Sequence, residues 1–217
     1  MHCWLLLRGL PVNDAEALAE TIEVVHGRRA LDPRWLALVD AFAANYGMTI
    51  VNVTTDDVTV RGSRGRLHLW GATASDADVL KKPSGNYDPA KQARANELAP
   101  GGPWFVISED YETEAFRAFV ESGATPAQLE EARALLADDR VWRIGASFGR
   151  IVIFVGTDEQ RDSVSTADRD AWEATLWTWF SSLNPPGLAR RERFKAEVDS
   201  KQNLDENYEG SSYYYWL

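Results

Sequence analysis

The sequence predicts an α+β fold, in which a mixed, largely antiparallel sheet has helices packed on it. Short runs of β-branched and aromatic residues indicate strands, and one of them, residues 150–155, is apolar except for its first residue. Segments of helical period separate these runs, and the most regular one places Trp35, Leu38 and Phe42 on one face. Apolar residues make up 45% of the 217 residues and charged residues 26%, so the chain can bury a sizeable core.

The first part of the chain is predicted to contain four strands and two helices. The first helix begins at a cap near Asn13 and ends at Gly27, because Asn favours the cap and Gly the end of a helix. Asp32 caps the second helix ahead of a proline at its first position, and Gly47 ends it. Residues 62–65, Gly-Ser-Arg-Gly, are predicted to join two strands as a hairpin. The predicted strands here are residues 2–8, 48–53, 58–61 and 66–70.

The remaining part contains one strong break, Pro-Gly-Gly-Pro at residues 100–103. We expect a single α+β domain over residues 1–217, or two tightly packed lobes with this break between them. Thr125 opens a helix as a capping box, and Thr166 caps a long helix that runs to Leu183. No internal repeat is evident. The other predicted elements are helices at 76–82, 88–98 and around 115–120, and strands at 104–108, 141–148, 150–155 and 194–198.

Residues 213–217, Tyr-Tyr-Tyr-Trp-Leu, are predicted to form a strand docked into the sheet, since five large side chains are costly to leave in water. The alternation of a strand would place Tyr214 and Trp216 on one face and the other three side chains on the opposite face. One face can belong to the core. The second must be covered by a helix or by another molecule, so this segment is a candidate binding surface.

The charge balance favours some partners over others. The net charge is −10, which disfavours nucleic acid and anionic membranes as partners and favours a basic protein. The single cysteine, Cys3, cannot form a disulfide within the chain. No apolar run approaches the ~20 residues that span a bilayer, and the first residues lack the basic region of a signal peptide. We expect a cytoplasmic protein.

No motif for catalysis has the structural context that it needs. Residues 145–149, Gly-Ala-Ser-Phe-Gly, match the nucleophile elbow around Ser147, but a strand follows instead of a helix and no histidine comes later in the chain. We therefore predict a hairpin turn there. The histidines are not spaced as zinc ligands, and no phosphate-binding loop is present. We expect no catalytic residues, no metal and no cofactor, and a carboxylate- or metal-dependent hydrolase is kept as an alternative.

Aromatic residues are numerous, with 9 Trp, 7 Tyr and 8 Phe, and some of them lie away from the predicted core faces. Trp177, for example, is about 100° from the centre of the apolar stripe of its helix. Tyrosine and tryptophan are frequent in binding hot spots, and acidic residues beside them would suit a basic partner. The candidate partner-binding residues are Trp177, Tyr208, Tyr214, Trp216, Asp205, Glu206 and Glu209.

Residues 199–208, DSKQNLDENY, lead into the Tyr-Tyr-Tyr-Trp segment at 213–216. In this segment and in its general character, the chain resembles bacterial immunity proteins, which neutralise a co-produced polymorphic toxin. The resemblance implies an acidic inhibitor that binds a basic toxin domain in equal amount and blocks its active site, with electrostatic attraction speeding association. A structural or oligomerisation module, which would form a homodimer, is the other alternative.

Overall fold

A computed structural model describes residues 12–60, 62–122, 125–183 and 189–216. Within these residues the chain divides between Ala115 and Phe116 into two compact units, here called the N-terminal unit and the C-terminal unit. The Pro-Gly-Gly-Pro segment at 100–103 lies inside the N-terminal unit, between a helix and a strand. The strand predicted at residues 2–8 falls outside the described residues.

The N-terminal unit contains one three-stranded sheet in the order β1-β2-β3. Strands β1 and β2 are antiparallel, and β2 and β3 are parallel. A short 3₁₀ helix, Pro33–Trp35, precedes the second α-helix, and Asp32 caps it as predicted. The elements are α1 (Val12–Val25), α2 (Leu36–Tyr46), β1 (Ile50–Asp56), β2 (Gly65–Gly71), α3 (Ala74–Asp78), α4 (Pro89–Leu98) and β3 (Trp104–Asp110), followed by α5 (Tyr111–Ser122), which crosses the division.

The C-terminal unit also contains a three-stranded sheet, in the order β4-β5-β6. Strands β4 and β5 are antiparallel, and β5 and β6 are parallel. Mixed sheets with helices packed around them make this an α+β fold, as predicted. The elements are α6 (Pro126–Leu136), β4 (Val141–Ser147), β5 (Arg150–Val155), α7 (Asp158–Ser163), α8 (Thr166–Leu183), β6 (Ala196–Ser200), α9 (Lys201–Asn207) and α10 (Ser212–Trp216).

The two sheets share one design, strand by strand. In each sheet the first strand carries a β-bulge, between Ile50 and Asn52 in β1 and between Val141 and Arg143 in β4. From the bulge onward, both antiparallel pairs continue in the same register for five residues. Each middle strand then leads through a short helix and a longer helix to a third strand that pairs in parallel. The two units therefore repeat one supersecondary motif.

Equivalent residues also end the strands in the same way. Thr73 and Thr157 stand two residues after β2 and β5, and each forms a capping box at the short helix that follows. Asp110 and Ser200 end β3 and β6, and the side chain of each accepts a backbone N–H from the next helix. The same local chemistry thus fixes the path of the chain at both ends of the crossover.

The repeat is also visible in the sequence once the registers are aligned. Residues 65–73, GRLHLWGAT, correspond to residues 149–157, GRIVIFVGT. The two segments share Gly, Arg and Thr, and they exchange Leu for Ile and Trp for Phe at buried positions. The expectation that the chain lacks an internal repeat was therefore wrong. Nine residues with three identities are a weak signal until the pairing of the strands fixes which positions to compare.

Two predicted strands are corrected. The antiparallel partner of β2 is β1, and residues 57–60 form no strand. Burial explains the choice, because Val53 of β1 is 2% exposed, whereas Val58 is 39% exposed. Residues 213–217 were predicted to form a strand, but residues 212–216 form helix α10. The adjacent side chains of Tyr215 and Trp216 both pack against the cluster around Phe154, whereas the alternating faces of a strand would point them in opposite directions.

Helix starts follow the predicted chemistry with two shifts. Helix α1 begins at Val12, so Asn13 lies inside the helix and does not cap it. Thr125 accepts the backbone N–H of Gln128 at the start of α6, as predicted. The long helix α8 is capped by Ser165 and not by Thr166. The Ser165 hydroxyl accepts the backbone N–H of Asp168, and the Asp168 carboxylate accepts that of Ser165, each at 3.1 Å.

The turn between β4 and β5 confirms the predicted hairpin at residues 145–149. Phe148 and Gly149 are its two central residues, with φ of 50° and 73°. Positive φ at both positions is typical of tight hairpins and favours Asn or Gly. Ser147 thus ends a strand and enters a hairpin, which is not the geometry of a nucleophile elbow.

We predict that Phe148→Asn raises the free energy of unfolding by about 0.5–1 kcal/mol, because Asn adopts positive φ with less strain than Phe. Urea denaturation of the purified protein measures the change. Gly149→Ala is the matched control at the other central position and should lower stability by about 1 kcal/mol, since its Cβ meets only ordinary contacts and the backbone strain remains. A loss of stability in Phe148→Asn would contradict this account of the turn.

Candidate partner-binding surface

Helices α9 and α10 cover one face of the C-terminal sheet. Val152 and Phe154 of β5 are fully buried on that face, and Leu204 of α9 packs against them at 1% exposure. Burying one Leu or Phe side chain stabilises a fold by about 1.5–3 kcal/mol. Three partly buried aromatic side chains complete this cluster: Tyr208, Tyr215 and Trp216.

Tyr215 anchors α10 to the sheet. Its ring centroid lies 5.1 Å from that of Phe154 and 5.0 Å from that of Tyr208. Its hydroxyl donates to Asp199 Oδ2 at 2.8 Å. Burial, together with the neighbouring Asp199 carboxylate, raises the pKa of Tyr215 well above its ordinary value, so the phenol remains a hydrogen-bond donor at neutral pH.

Trp216 is held between a glycine and an arginine. A Cβ built on Gly145 would lie 3.0 Å from Trp216 Cζ2, so the indole packs here because residue 145 has no side chain. On the other side, the guanidinium of Arg150 lies 5.4 Å from the ring centroid. Arg150 is itself held by two hydrogen bonds to Glu197, at 3.0 and 2.7 Å.

The predicted acidic residues all lie in solvent. Asp205 and Glu206 are exposed in the last turn of α9, and Glu209 follows that helix with a φ of 54°. Asp205 accepts a hydrogen bond from Lys201, and Glu206 accepts one from the amide of Gln202 at 3.0 Å. Carboxylates at the C-terminal end of a helix oppose its dipole. The contacts with Lys201 and Gln202, each four residues earlier in the helix, act in the opposite direction and stabilise it.

Two exposed aromatic side chains accompany these acids, Tyr214 on α10 and Trp142 next to Lys201 of α9. Tyr214 is 52% exposed and Trp142 is 39% exposed. Trp142 stands at the bulge of β4, and the ammonium of Lys201 lies 5.4 Å from its ring centroid. We define the aromatic–acidic surface as Trp142, Tyr208, Tyr214 and Trp216 together with Asp205, Glu206 and Glu209.

Sequence reasoning missed Trp142 because it reads as one residue of a regular strand. The sequence carries no signal for the exposure of this indole, because the bulge that turns it outward depends on pairing with β5.

Trp177 lies elsewhere in the C-terminal unit. Its ring centroid is 5.5 Å from those of both Phe119 and Phe194, and the side chain is half-buried. No contact that the structure describes joins it to α9 or α10. The structure thus places Tyr208, Tyr214, Trp216 and the three acids on α9, on α10 and on the residues between these helices, and it places Trp177 in a separate aromatic cluster.

The N-terminal unit holds a buried charged cluster at the equivalent sheet face. Asp56 Oδ2 lies 2.6 Å from Arg66 Nη2 and 2.8 Å from His68 Nε2. Burial alone would raise the pKa of Asp56, but the hydrogen bonds from Arg66, His68 and the Val58 backbone outweigh it and lower the pKa to about 2. The Asp56 carboxylate thus has hydrogen-bond partners from within the cluster, which is typical of a structural ion pair.

Neither a metal site nor a membrane span is found in the described part of the chain. There, no group of three or more His, Cys, Asp or Glu side chains is arranged to hold a metal ion. No helix among the described residues has the length and apolar character needed to cross a membrane.

Comparison with known proteins gives no assignment. The chain shows no significant match to a protein-family model, to a curated protein or to a solved structure. The function is therefore argued from the residues and their geometry.

We predict that Asp56→Asn lowers the free energy of unfolding at pH 7 by up to about 2 kcal/mol. The pKa of Asp56 is lower in the folded chain than its ordinary value of 3.8, so its stabilisation is present above about pH 4 and is lost as the pH falls towards 2. Denaturation curves at several pH values should show that Asp56→Asn does not lose this part of its free energy of unfolding as the pH falls. Asp57→Asn, at the exposed neighbour, is the control and should change stability by less than about 0.5 kcal/mol.

Proposed function

We propose that this protein is an inhibitor that binds a basic toxin domain in equal amount and blocks its active site, as bacterial immunity proteins do. The observation that carries the proposal is the aromatic–acidic surface, which combines exposed Tyr214 and Trp142 with three exposed carboxylates on or just after α9. The three acids are exposed, so they are accessible to a basic partner.

The surface has a rigid base, which favours tight binding. Tyr215, Trp216 and Arg150 are fixed by ring contacts and by hydrogen bonds to Asp199 and Glu197. Side chains held in place before binding lose little entropy when a partner docks. Exposed aromatic rings on such a base are the residue types that dominate binding energy at protein interfaces.

The carboxylates would act mainly on the rate of association. Asp205, Glu206 and Glu209 are exposed, and charges at the rim of an interface steer diffusion more than they add affinity. The net charge of −10 acts in the same direction for a basic partner.

The first test is affinity capture of the tagged protein from its own host, with mass spectrometry of what is bound. We expect one basic, toxin-sized protein in equal amount, whose activity falls as the complex forms. Recovery of the protein alone, or of a partner whose activity is unaffected, would contradict the proposal.

We predict that the triple variant Asp205→Asn, Glu206→Gln, Glu209→Gln slows association with the captured partner by about tenfold at low salt, with little change in dissociation. Surface plasmon resonance at several salt concentrations measures both rates. The control is Asp40→Asn, Glu97→Gln, Glu131→Gln, which removes three exposed carboxylates outside the surface. Equal slowing in both variants would assign the effect to net charge and not to this surface.

We predict that Tyr214→Ala and Trp142→Ala each weaken binding by at least tenfold, mainly through faster dissociation, because each removes an exposed ring that can fill a pocket on the partner. Trp177→Phe is the control in the separate aromatic cluster and should leave affinity unchanged. Near-ultraviolet circular dichroism checks that each variant is folded. Wild-type affinity in both alanine variants would rule out the proposed surface.

A further inference from the structure

A cleft of about 290 Å³ opens along the outer edge of β4. One wall is helix α6 and the other is helix α10, with the strand between them. The lining residues are Pro126, Leu129, Glu130, Arg143, Ile144, Gly145, Ala146, Ser212 and Trp216. Most of these are apolar, and one of them, Arg143, carries a charge for which the described residues provide no ion-pair partner.

Arg143 has a guanidinium with too few partners. Nη2 donates to Ser212 Oγ at 3.0 Å, and the faces of the group lie near the rings of Trp142 and Phe154, at 4.9 and 5.2 Å from their centroids. Its Nε is buried without a hydrogen-bond partner, and no carboxylate in the described residues lies within 4 Å of it. An arginine has five N–H donors, and Ser212 Oγ is the acceptor that the described residues place on this guanidinium.

The nearest acid in the cleft does not provide the missing charge. Glu130 is an exposed residue of α6, and its carboxylate accepts a hydrogen bond from Arg133 Nε at 2.8 Å. Burial lowers the pKa of the Arg143 guanidinium, as expected for a cation that is partly removed from water without a counter-ion.

The internal repeat shows that the fold does not need a charge at this position. Asn52 is the equivalent residue in β1, after the same bulge, and it pairs with Trp70 as Arg143 pairs with Phe154. Asn52 is buried, and its amide donates to Thr21 Oγ1 at 3.1 Å. The N-terminal sheet thus accommodates a neutral side chain at the equivalent position. The fold therefore does not explain why the C-terminal sheet has an arginine there.

We propose that this cleft binds a carboxylate that is attached to an apolar or aromatic body, with Arg143 and Ser212 holding the carboxylate. A planar carboxylate can accept two parallel N–H bonds from a guanidinium and supplies the absent counter-charge. The walls formed by Leu129, Ile144 and Trp216 favour an organic acid over an inorganic anion. The volume suits a small acid or the C-terminal residue of a peptide chain.

The cleft shares Trp216 with the aromatic–acidic surface, but its ligand carries a charge opposite to that of a basic protein partner. It can be tested with the purified protein alone, so failure of either proposal leaves the other standing.

The test follows two signals of ¹⁵N-labelled protein by NMR, the Arg143 Nε–H and the Trp216 indole N–H, during titration with 3-phenylpropionate. We expect saturable shifts of both signals, with a Kd in the millimolar to high micromolar range for a ligand of about eleven heavy atoms. The neutral 3-phenylpropionamide and inorganic phosphate should each bind at least tenfold more weakly. Equal binding of the acid and its amide, or no saturable shift with the acid, would overturn the proposal without any variant.

Two variants and two peptides sharpen the result. Arg143→Gln should abolish saturable binding, and Glu130→Gln, which removes a negative charge at the rim, should keep or strengthen it. A short peptide that ends in a phenylalanine carboxylate is compared with its amidated form. Tighter binding of the free-carboxyl peptide than of 3-phenylpropionate identifies a chain terminus as the source, and the reverse order identifies a free organic acid. Undiminished binding in Arg143→Gln would refute the assignment.

Discussion

Burial of the middle strand on both faces is the constraint on which each unit depends. Residues 151–155 of β5 are at most 1% exposed, and residues 67–71 of β2 are equally enclosed as a group. A strand in that position needs a hydrogen-bonded partner on each side and cover on both faces. Here one partner is antiparallel and the other is parallel. The bulge, the crossover through two helices and the caps at each strand end are the local means by which the chain meets this requirement twice.

The same scaffold carries different chemistry in its two copies. Where the N-terminal sheet has His68 and Asp56 in a buried, paired cluster, the C-terminal sheet has Val152 and Ser147 at the equivalent positions. The charged groups of the C-terminal copy lie instead at its edge and on its covering helices. Both copies keep the burial and the strand register that the motif needs. The side chains that differ at equivalent positions are those that each copy presents to its surroundings.

The aromatic base of α10 links the proposed surface to the cleft. Trp216 packs on Gly145, lies over Arg150 and forms a wall of the cleft, while Tyr215 ties the helix to Asp199. A ring that contacts the sheet on one side and solvent on the other holds nearby groups in fixed positions. Exposed Tyr214 and the acids of α9 therefore stand on a rigid support, although residues 199–212, which lead up to the aromatic residues of α10, are mostly polar.

The sequence by itself determined the α+β class, most helix caps, the hairpin at Ser147 and the clustering of acids with Tyr208, Tyr214 and Trp216. These features depend on residues close together in the chain, where propensity and capping act directly. Only the tertiary structure decided that β1 pairs with β2, that α10 is a helix, that Trp142 belongs to the surface and that Trp177 does not. Those outcomes depend on which apolar residues find a buried partner far away in sequence, and local patterns do not encode that choice.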